Sequence, residues 1–341
     1  MNIAYYTQLY KPARKIWFYI RNFASYLVPN AYMRWHGRRL IRSLSATELG
    51  SAMLRADYYC RLPKNCTLAN QAVRIGDYHY PWHSRHKFVT YFFDLYRVVR
   101  CFPEDMRFLR LFGDVNKEQK EPTFVKSRPI VGNNETSMCV LLKLNQVRHF
   151  HFLHDSKLFR DKQNRIVFRN LVFENQPQRI TFLERYFMHP MVDAGMVNEA
   201  SGVNRPEWVR PYMGIGEQLN YKFVACIEGN DVATNLKWVM SSNSVAVMPR
   251  PRFETWFMEG MLRPDYHYIE VADDYHDLEE KLHYYIAHPE AAEAIISHAH
   301  DYIRTFLDKR QEAAVQWLTA QRYFERTGQQ ALLGTNYRID R

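Results

Sequence analysis

Long uncharged stretches are missing from this chain: nowhere does it run through the roughly 18 apolar residues that a membrane-spanning helix needs. The opening Met1-Asn2-Ile3-Ala4-Tyr5-Tyr6 lacks a basic segment followed by an apolar core, so no signal peptide is expected. Cysteine is scarce. The five thiols, Cys60, Cys66, Cys101, Cys139 and Cys226, are odd in number, which argues against a disulfide framework and predicts reduced thiols in a cytoplasmic protein. Cys60 and Cys66 have no second close pair, which argues against zinc. Internal repeats and low-complexity tracts are also absent.

What remains is a globular composition. Apolar residues make up 47% and charged residues 24%, and 341 residues suit two domains of roughly 150 each. Net charge is +10, which favours anionic partners. The basic residues are spread along the chain and form no known nucleic-acid module, so no nucleic-acid partner is expected. The segment from Lys15 to Phe23 mixes Trp17 and Phe18 with Lys15 and Arg21. It reads either as a core-packing first helix or as a segment lying on a membrane surface.

Residues 1–60 look helical and basic, and a second aromatic helix is predicted from Phe88 to Phe102, ending at Pro103. Strands are predicted at Val140–Leu144 and Arg165–Phe168. The second half is more regular. Lys222–Ile227 reads as a buried strand, Gly229-Asn230-Asp231 as a turn, Val232–Met240 as a helix, and Ser244–Met248 as the next strand. A short strand at Tyr268–Val271 precedes a capping box, Asp277 with Glu280. Pro289 can open a further helix, and amphipathic helices follow at Ala291–Phe306 and Glu312–Tyr323. This rhythm predicts a parallel α/β domain, with a domain boundary near His151–Gln163. Ligands of such domains bind beyond the carboxyl ends of the strands, which points to Glu228–Thr234 and Pro249–Glu254.

The series Glu228-Gly229-Asn230-Asp231 through Asn235-Leu236-Lys237-Trp238 continues in Ser241-Ser242-Asn243-Ser244, Glu254-Thr255-Trp256-Phe257-Met258-Glu259-Gly260 and Pro264–Tyr268. It resembles the lipopolysaccharide A protein type of glycosyltransferase. That type falls in glycosyltransferase family ninety, with capsule-associated proteins and protein O-glucosyltransferases. Phe168-Arg169-Asn170 with Arg179 looks like the family's Phe-Arg-Gly segment and trailing Arg. Pro103-Glu104-Asp105 with Gly113-Asp114 looks like its Pro-Asp segment. The likeness spans roughly 75–325, strongest over 221–307, and leaves the first 70 residues unmatched.

The resemblance implies an α/β GT-B fold: two Rossmann-like domains facing a cleft, with C-terminal helices packing back. The corresponding division is 1–158 on the acceptor side, 159–310 for the nucleotide-sugar, and 311–341 as a helix returning to the first domain. It implies an inverting, metal-independent hexosyl transfer from a UDP-sugar, glucose or galactose, to a lipopolysaccharide core or outer-core sugar; the alternative is a transferase acting on capsule or another surface glycan, or a non-catalytic membrane-associated relative. No cofactor beyond the donor is expected. Such an enzyme would work in the cytoplasm, peripherally on the inner membrane. No Asp-x-Asp pair stands where a metal-dependent transferase would place one. The histidines of Tyr78–His86 fit no strong ligand motif, and the aromatics there are candidates for stacking on acceptor sugars.

An inverting transfer needs a base for the acceptor hydroxyl and stabilisation of the leaving diphosphate. The Pro-Asp match makes Asp105 the candidate base. The inserted Glu104 is the alternative. At the diphosphate, the Gly229-Asn230-Asp231 turn is expected to present a helix N-terminus, with Asp231 as a possible cap. Eukaryotic relatives carry an Arg where this chain has Asn235, so another cation must substitute. The candidates are Arg169, Arg179, Lys222 and Lys237. Glu254 and Glu259 are candidates for donor hydroxyls, and Ser244 and His267 for lining the same pocket. Arg250 and Arg252, just past a strand end, are candidates for an acidic acceptor.

Overall fold

A computed structural model describes residues 16–80, 88–132, 135–198 and 203–329. The opening segment and the stretch containing His83 and His86 lie outside them. The chain forms two compact units. Unit A comprises residues 18–146, 253–256 and 307–341, and unit B residues 1–17, 147–252 and 257–306. No described helix is long and apolar enough to cross a membrane.

Unit A begins with helices at 16–25, Asn30–Arg42 and Ala46–Tyr59. The third is started by a capping box: the Ser45 N–H donates to Glu48 Oε2 (2.7 Å), and Ser45 Oγ accepts from the Glu48 N–H. In the first, Ile20 and Phe23 are both exposed, and Phe23 also packs edge-on against Phe93. The aromatic helix runs over Val89–Val99. Strands β1 (Val73–Arg74), β2 (Arg107–Arg110), β3 (Thr123–Val125) and β5 (Cys139–Leu141) pair in the order β1-β2-β3-β5. Only the β1–β2 pairing is antiparallel. Strand β4 (Ser127–Pro129) pairs instead with a distant strand, Phe253–Thr255, which is β10 in chain order. The last helix, Lys309–Arg326, is capped by Asp308 and lies in this unit.

Two buried charge clusters organise unit A. Arg128 and Glu254 face each other across β4 and β10 and are joined at 2.9 Å with both side chains enclosed. The Tyr58 hydroxyl donates to the same carboxylate. The rest of the Arg128 fork donates to the carbonyls of Tyr58, Tyr59 and Cys139. Two residues on, Trp256 is fully buried and stacks on Tyr59 at 3.9 Å between centroids. Its indole N–H donates to Glu312 (2.8 Å), which also binds Arg55 (2.7 Å) and Lys143 (2.6 Å). A buried charge is tolerable only when paired and hydrogen-bonded, and Glu312 has three donors.

Unit B holds five parallel strands: β6 (Gln163–Asn170), β7 (Val192–Met196), β8 (Tyr221–Ala225), β9 (Val245–Met248) and β11 (Ile269–Glu270). Their order is β11-β9-β8-β6-β7. Strands β8 and β9 are buried along their whole length, as expected of parallel strands covered on both faces. Phe168, Phe223, Val245 and Ile269 from the sheet form one core with residues of three helices. These are Phe182 and Leu183 of Pro177–Tyr186, Leu278 and Leu282 of Leu278–Ala287, and Ile295 of Pro289–Arg304. Numbered by appearance within unit B, the strands run 5-4-3-1-2. The winding direction therefore reverses between β6 and β8, the switch point of a doubly wound sheet. An α/β architecture is thus present in both units.

Two expected elements differ. The helix predicted from Val232 begins only at Leu236 and ends at Met240. The Asn235 amide reaches back to the Ala225 carbonyl (3.0 Å), and the Gly229 N–H donates to the Asp231 carbonyl (3.0 Å). The Gly229–Asp231 turn therefore closes on itself and does not open a helix. Asp277 stands before Leu278 but forms no capping box, because its carboxylate accepts from the Ala272 N–H and closes the loop after β11.

Glu312→Ala should destabilise the protein by about 3–5 kcal/mol, because it strands Arg55 and Lys143 in a buried site. Denaturant unfolding monitored by tryptophan fluorescence measures this. A loss below about 1 kcal/mol would mean that the cluster contributes little net stability.

Candidate functional site

The carboxyl ends of β6 and β8 are where the loops of unit B part, and one side chain ties them together. Arg179, in the first turn of Pro177–Tyr186, is buried. Its Nη1 donates to the Leu171 carbonyl (2.6 Å), just past β6. Its Nη2 donates to the Ile227 carbonyl (3.0 Å), just past β8. Asn230 adds a second tie, its side-chain oxygen accepting from the amides of Asn175 and Gln176 (3.1 Å each). Gly229 fits because it has no side chain: a Cβ there would lie 2.9 Å from Arg179 Nη2 and 3.1 Å from Gln176 Nε2. This close approach, and no special backbone angle, is what requires glycine.

Beside this tie lies a cleft across the ends of β8 and β9. Val232, Ala233, Leu236 and Met248 supply an apolar wall, and Gln178, Glu228, Arg252 and Asp273 supply polar groups. The cleft's lining, largely apolar with a few fixed polar groups, is of the kind small-molecule sites have, and the free volume in this structure is about 20 Å³. Glu228 accepts from the Arg252 backbone N–H (3.0 Å) and from its Nε (3.1 Å), so it holds both the backbone and the half-exposed side chain of Arg252. Glu259 also contributes to the lining and is joined to Lys237 at 2.6 Å, with both side chains enclosed. Met258, immediately before Glu259, has φ +54°, a left-handed conformation costly for a residue with a side chain. Cys226 lines the cleft as well, but burial pushes its thiol far up, so it supplies no thiolate nucleophile.

The residues singled out from the sequence fall into four groups. Arg179, Gly229, Asn230, Asp231, Asn235, Lys237 and Glu259 are drawn together around the ends of β6 and β8, with Arg250 and Arg252 past the end of β9. Arg250 is exposed and pairs with Glu270. Arg169 lies on the sheet, its guanidinium given to the Asp193 carboxylate and to the carbonyls of Phe168 and Asp193. Lys222 and Ser244 are not brought to the cleft. They stand at the amino ends of β8 and β9, where Lys222 binds Asn164, and buried Ser244 lies between Lys162 and the Tyr221 carbonyl. Both had the right strand and the wrong end.

The fourth group comprises the remaining residues, which do not line the cleft. Glu254 belongs to the buried cluster of unit A, where Arg128 and Tyr58 take its carboxylate. His267 accepts from the Arg263 N–H (2.9 Å). Burial and then the Arg263 charge lower it to about 4, so it is neutral near pH 7. Asp105 is exposed in unit A, in the turn before β2, with Arg34, Arg38 and Arg74 around it. Among the described residues its carboxylate has no hydrogen-bond or ion-pair partner. Glu104 differs, being paired with Arg34 (3.3 Å). Gln178 and Asp273 of the cleft carried no signal in the sequence. Glu228 did carry one, as the first polar residue after a buried run.

Residues 186–316, which include the apolar wall, match the model described as glycosyl transferase family 90. The O-glucosyltransferase LpsA of Dichelobacter nodosus is 40% identical over 316 residues, covering 91% of this chain and 95% of that protein.

Gly229→Ala should cost about 1–3 kcal/mol by crowding Arg179. Because the two residues touch, combining it with Arg179→Ala should cost less than the sum of the two, by about 0.5–3 kcal/mol. Urea unfolding of the double-mutant cycle reads this, and strict additivity would contradict the tie.

Proposed function

The chain belongs to glycosyl transferase family 90, and from that membership we propose that it moves a hexose from a UDP-sugar to a core or outer-core sugar of lipopolysaccharide, with inversion at the anomeric carbon. The observation that carries the reading is the cleft across the carboxyl ends of β8 and β9, beside the switch point near which doubly wound domains take nucleotides. The name of the Dichelobacter nodosus relative favours glucose as the sugar. A GT-B arrangement of the two units and a peripheral place on the inner membrane belong to the same proposal.

In this reading the nucleoside lies along Val232, Leu236 and Met248, and the diphosphate reaches Arg252. Charge grows on the diphosphate as the glycosidic bond breaks, and a cation already fixed in place stabilises it without reorganising. Glu228 supplies that fixity, because it holds both the backbone and the side chain of Arg252. Arg179 acts one step back, shaping the loops with its carbonyl contacts. Asp105 takes the proton of the acceptor hydroxyl as that oxygen bonds to the anomeric carbon. The bond to the diphosphate oxygen breaks on the opposite side, and UDP leaves. Asp105, whose carboxylate has no partner among the described residues, is favoured over Glu104, which is committed to Arg34.

The test offers UDP-glucose, UDP-galactose and their N-acetyl forms with truncated lipopolysaccharide. Transfer is expected from UDP-glucose, and Asp105→Asn should lower kcat by about 10²–10⁴-fold with UDP affinity unchanged. Full activity in that variant would remove Asp105 from the mechanism.

A further inference from the structure

The helix Asn30–Arg42 has one face inside unit A and one face outside. Gly37 and Ile41 are buried, and a Cβ on Gly37 would lie 2.6 Å from Trp317 Nε1, so that side is committed to packing. The other side presents Arg34, Trp35, Arg38, Arg39 and Arg42 around a groove of about 340 Å³. Arg34 and Arg38 also border a second recess of about 470 Å³, lined further by Arg74, Pro103, Glu104 and Asp105. The two are therefore continuous. Together they gather five guanidinium groups against two carboxylates, Glu104 and Asp105.

Much of this stripe is not explained by the fold. Arg34, Arg38 and Arg42 follow one another at four-residue spacing, where like charges repel and weaken a helix. Arg34 has Glu104 as a partner, and Arg39 lies over the Trp35 ring at 5.2 Å. Arg38, Arg42 and Arg74 have no acidic partner among the described residues. Trp35 itself is 50% exposed and tilts against Tyr32 at 5.6 Å. A local rule broken without structural return marks a site shaped for something else. Unpaired guanidinium groups around a concavity are suited to bidentate capture of phosphate or carboxylate, and an exposed indole beside them offers a flat apolar platform.

We infer that this arginine groove is the acceptor site, and that it takes a saccharide bearing phosphate or carboxylate groups. Arg38, Arg74 and Arg42 hold the anionic groups, and a sugar ring rests on Trp35. The inference rests on Asp105 being the base, because the groove ends at that residue and a sugar held there brings a hydroxyl to it. It keeps acceptor recognition within residues 1–158 and does not use Arg250 and Arg252 for it.

The experiment uses the full chain and a deacylated core oligosaccharide from truncated lipopolysaccharide, compared with the same oligosaccharide stripped of phosphate and with its carboxylates reduced. Binding is measured without donor, so that it does not depend on transfer, and acceptor KM is measured with UDP-glucose. Arg38→Gln combined with Arg74→Gln should raise both Kd and KM for the anionic oligosaccharide by about tenfold or more, as expected for lost charged hydrogen bonds. The neutral oligosaccharide should be bound equally by parent and variant. UDP affinity and the unfolding midpoint should not change, and Arg304→Gln should match the parent. Unchanged affinity for the anionic oligosaccharide would overturn the inference, as would a loss seen only with phosphatidylglycerol vesicles. If Asp105→Asn is inactive while the arginine variant binds normally, the inference fails alone. If the arginine variant loses the oligosaccharide while Asp105→Asn stays active, the groove stands and the base assignment fails.

Discussion

A single buried guanidinium decides the shape of the crevice at the carboxyl ends of β6 and β8. The loops after β6 and β8 diverge because the sheet reverses its winding there, and both would leave carbonyls without partners. Arg179 supplies donors to both, at Leu171 and Ile227. An unpaired buried carbonyl costs more than a made hydrogen bond gains, so one side chain serving both loops holds them in one geometry. The lack of a side chain at Gly229 follows from that contact. So does the open side of the crevice, which lies towards Arg252 and the apolar wall.

Charge does different work in the two units. In unit A it is enclosed: Arg128 with Glu254, and Glu312 with Arg55, Lys143 and Trp256, hold a short crossing segment of chain in place. In unit B, Lys237 and Glu259 are enclosed in the same way beside the cleft, whereas the Glu228–Arg252 pair stays partly open to solvent. A pair sealed on every side fixes structure. A pair with one exposed member can exchange part of its contact for a ligand, and Arg252 is half exposed.

The sequence made the strands of unit B legible because parallel strands are buried on both faces and read as short continuous apolar runs, such as Lys222–Ile227. It did not disclose their spatial order, since that depends on pairing between distant segments. Lys222 and Ser244 were misplaced for a related reason: a run of apolar residues marks a strand without telling which flanking polar residue meets a ligand. Glu254 was a candidate for donor hydroxyls alongside Glu259, yet its carboxylate is taken by Arg128, which lies 126 positions away. The late start of the helix at Leu236 came from a side-chain bond, Asn235 to Ala225, that periodicity does not register. The arginine stripe was visible only as basic character in the first 60 residues. Its meaning appeared once Gly37 and Ile41 showed which face of the helix is buried.

The central claim is that a sugar nucleotide sits at the carboxyl ends of β6, β8 and β9. Hydrogen–deuterium exchange of the full chain with and without UDP tests it most directly, because amides at a bound ligand open less often. The account predicts slowed exchange in 171–178, 226–235 and 249–252. Protection confined to the opposite ends of the strands, around 157–163 and 219–222, would contradict it.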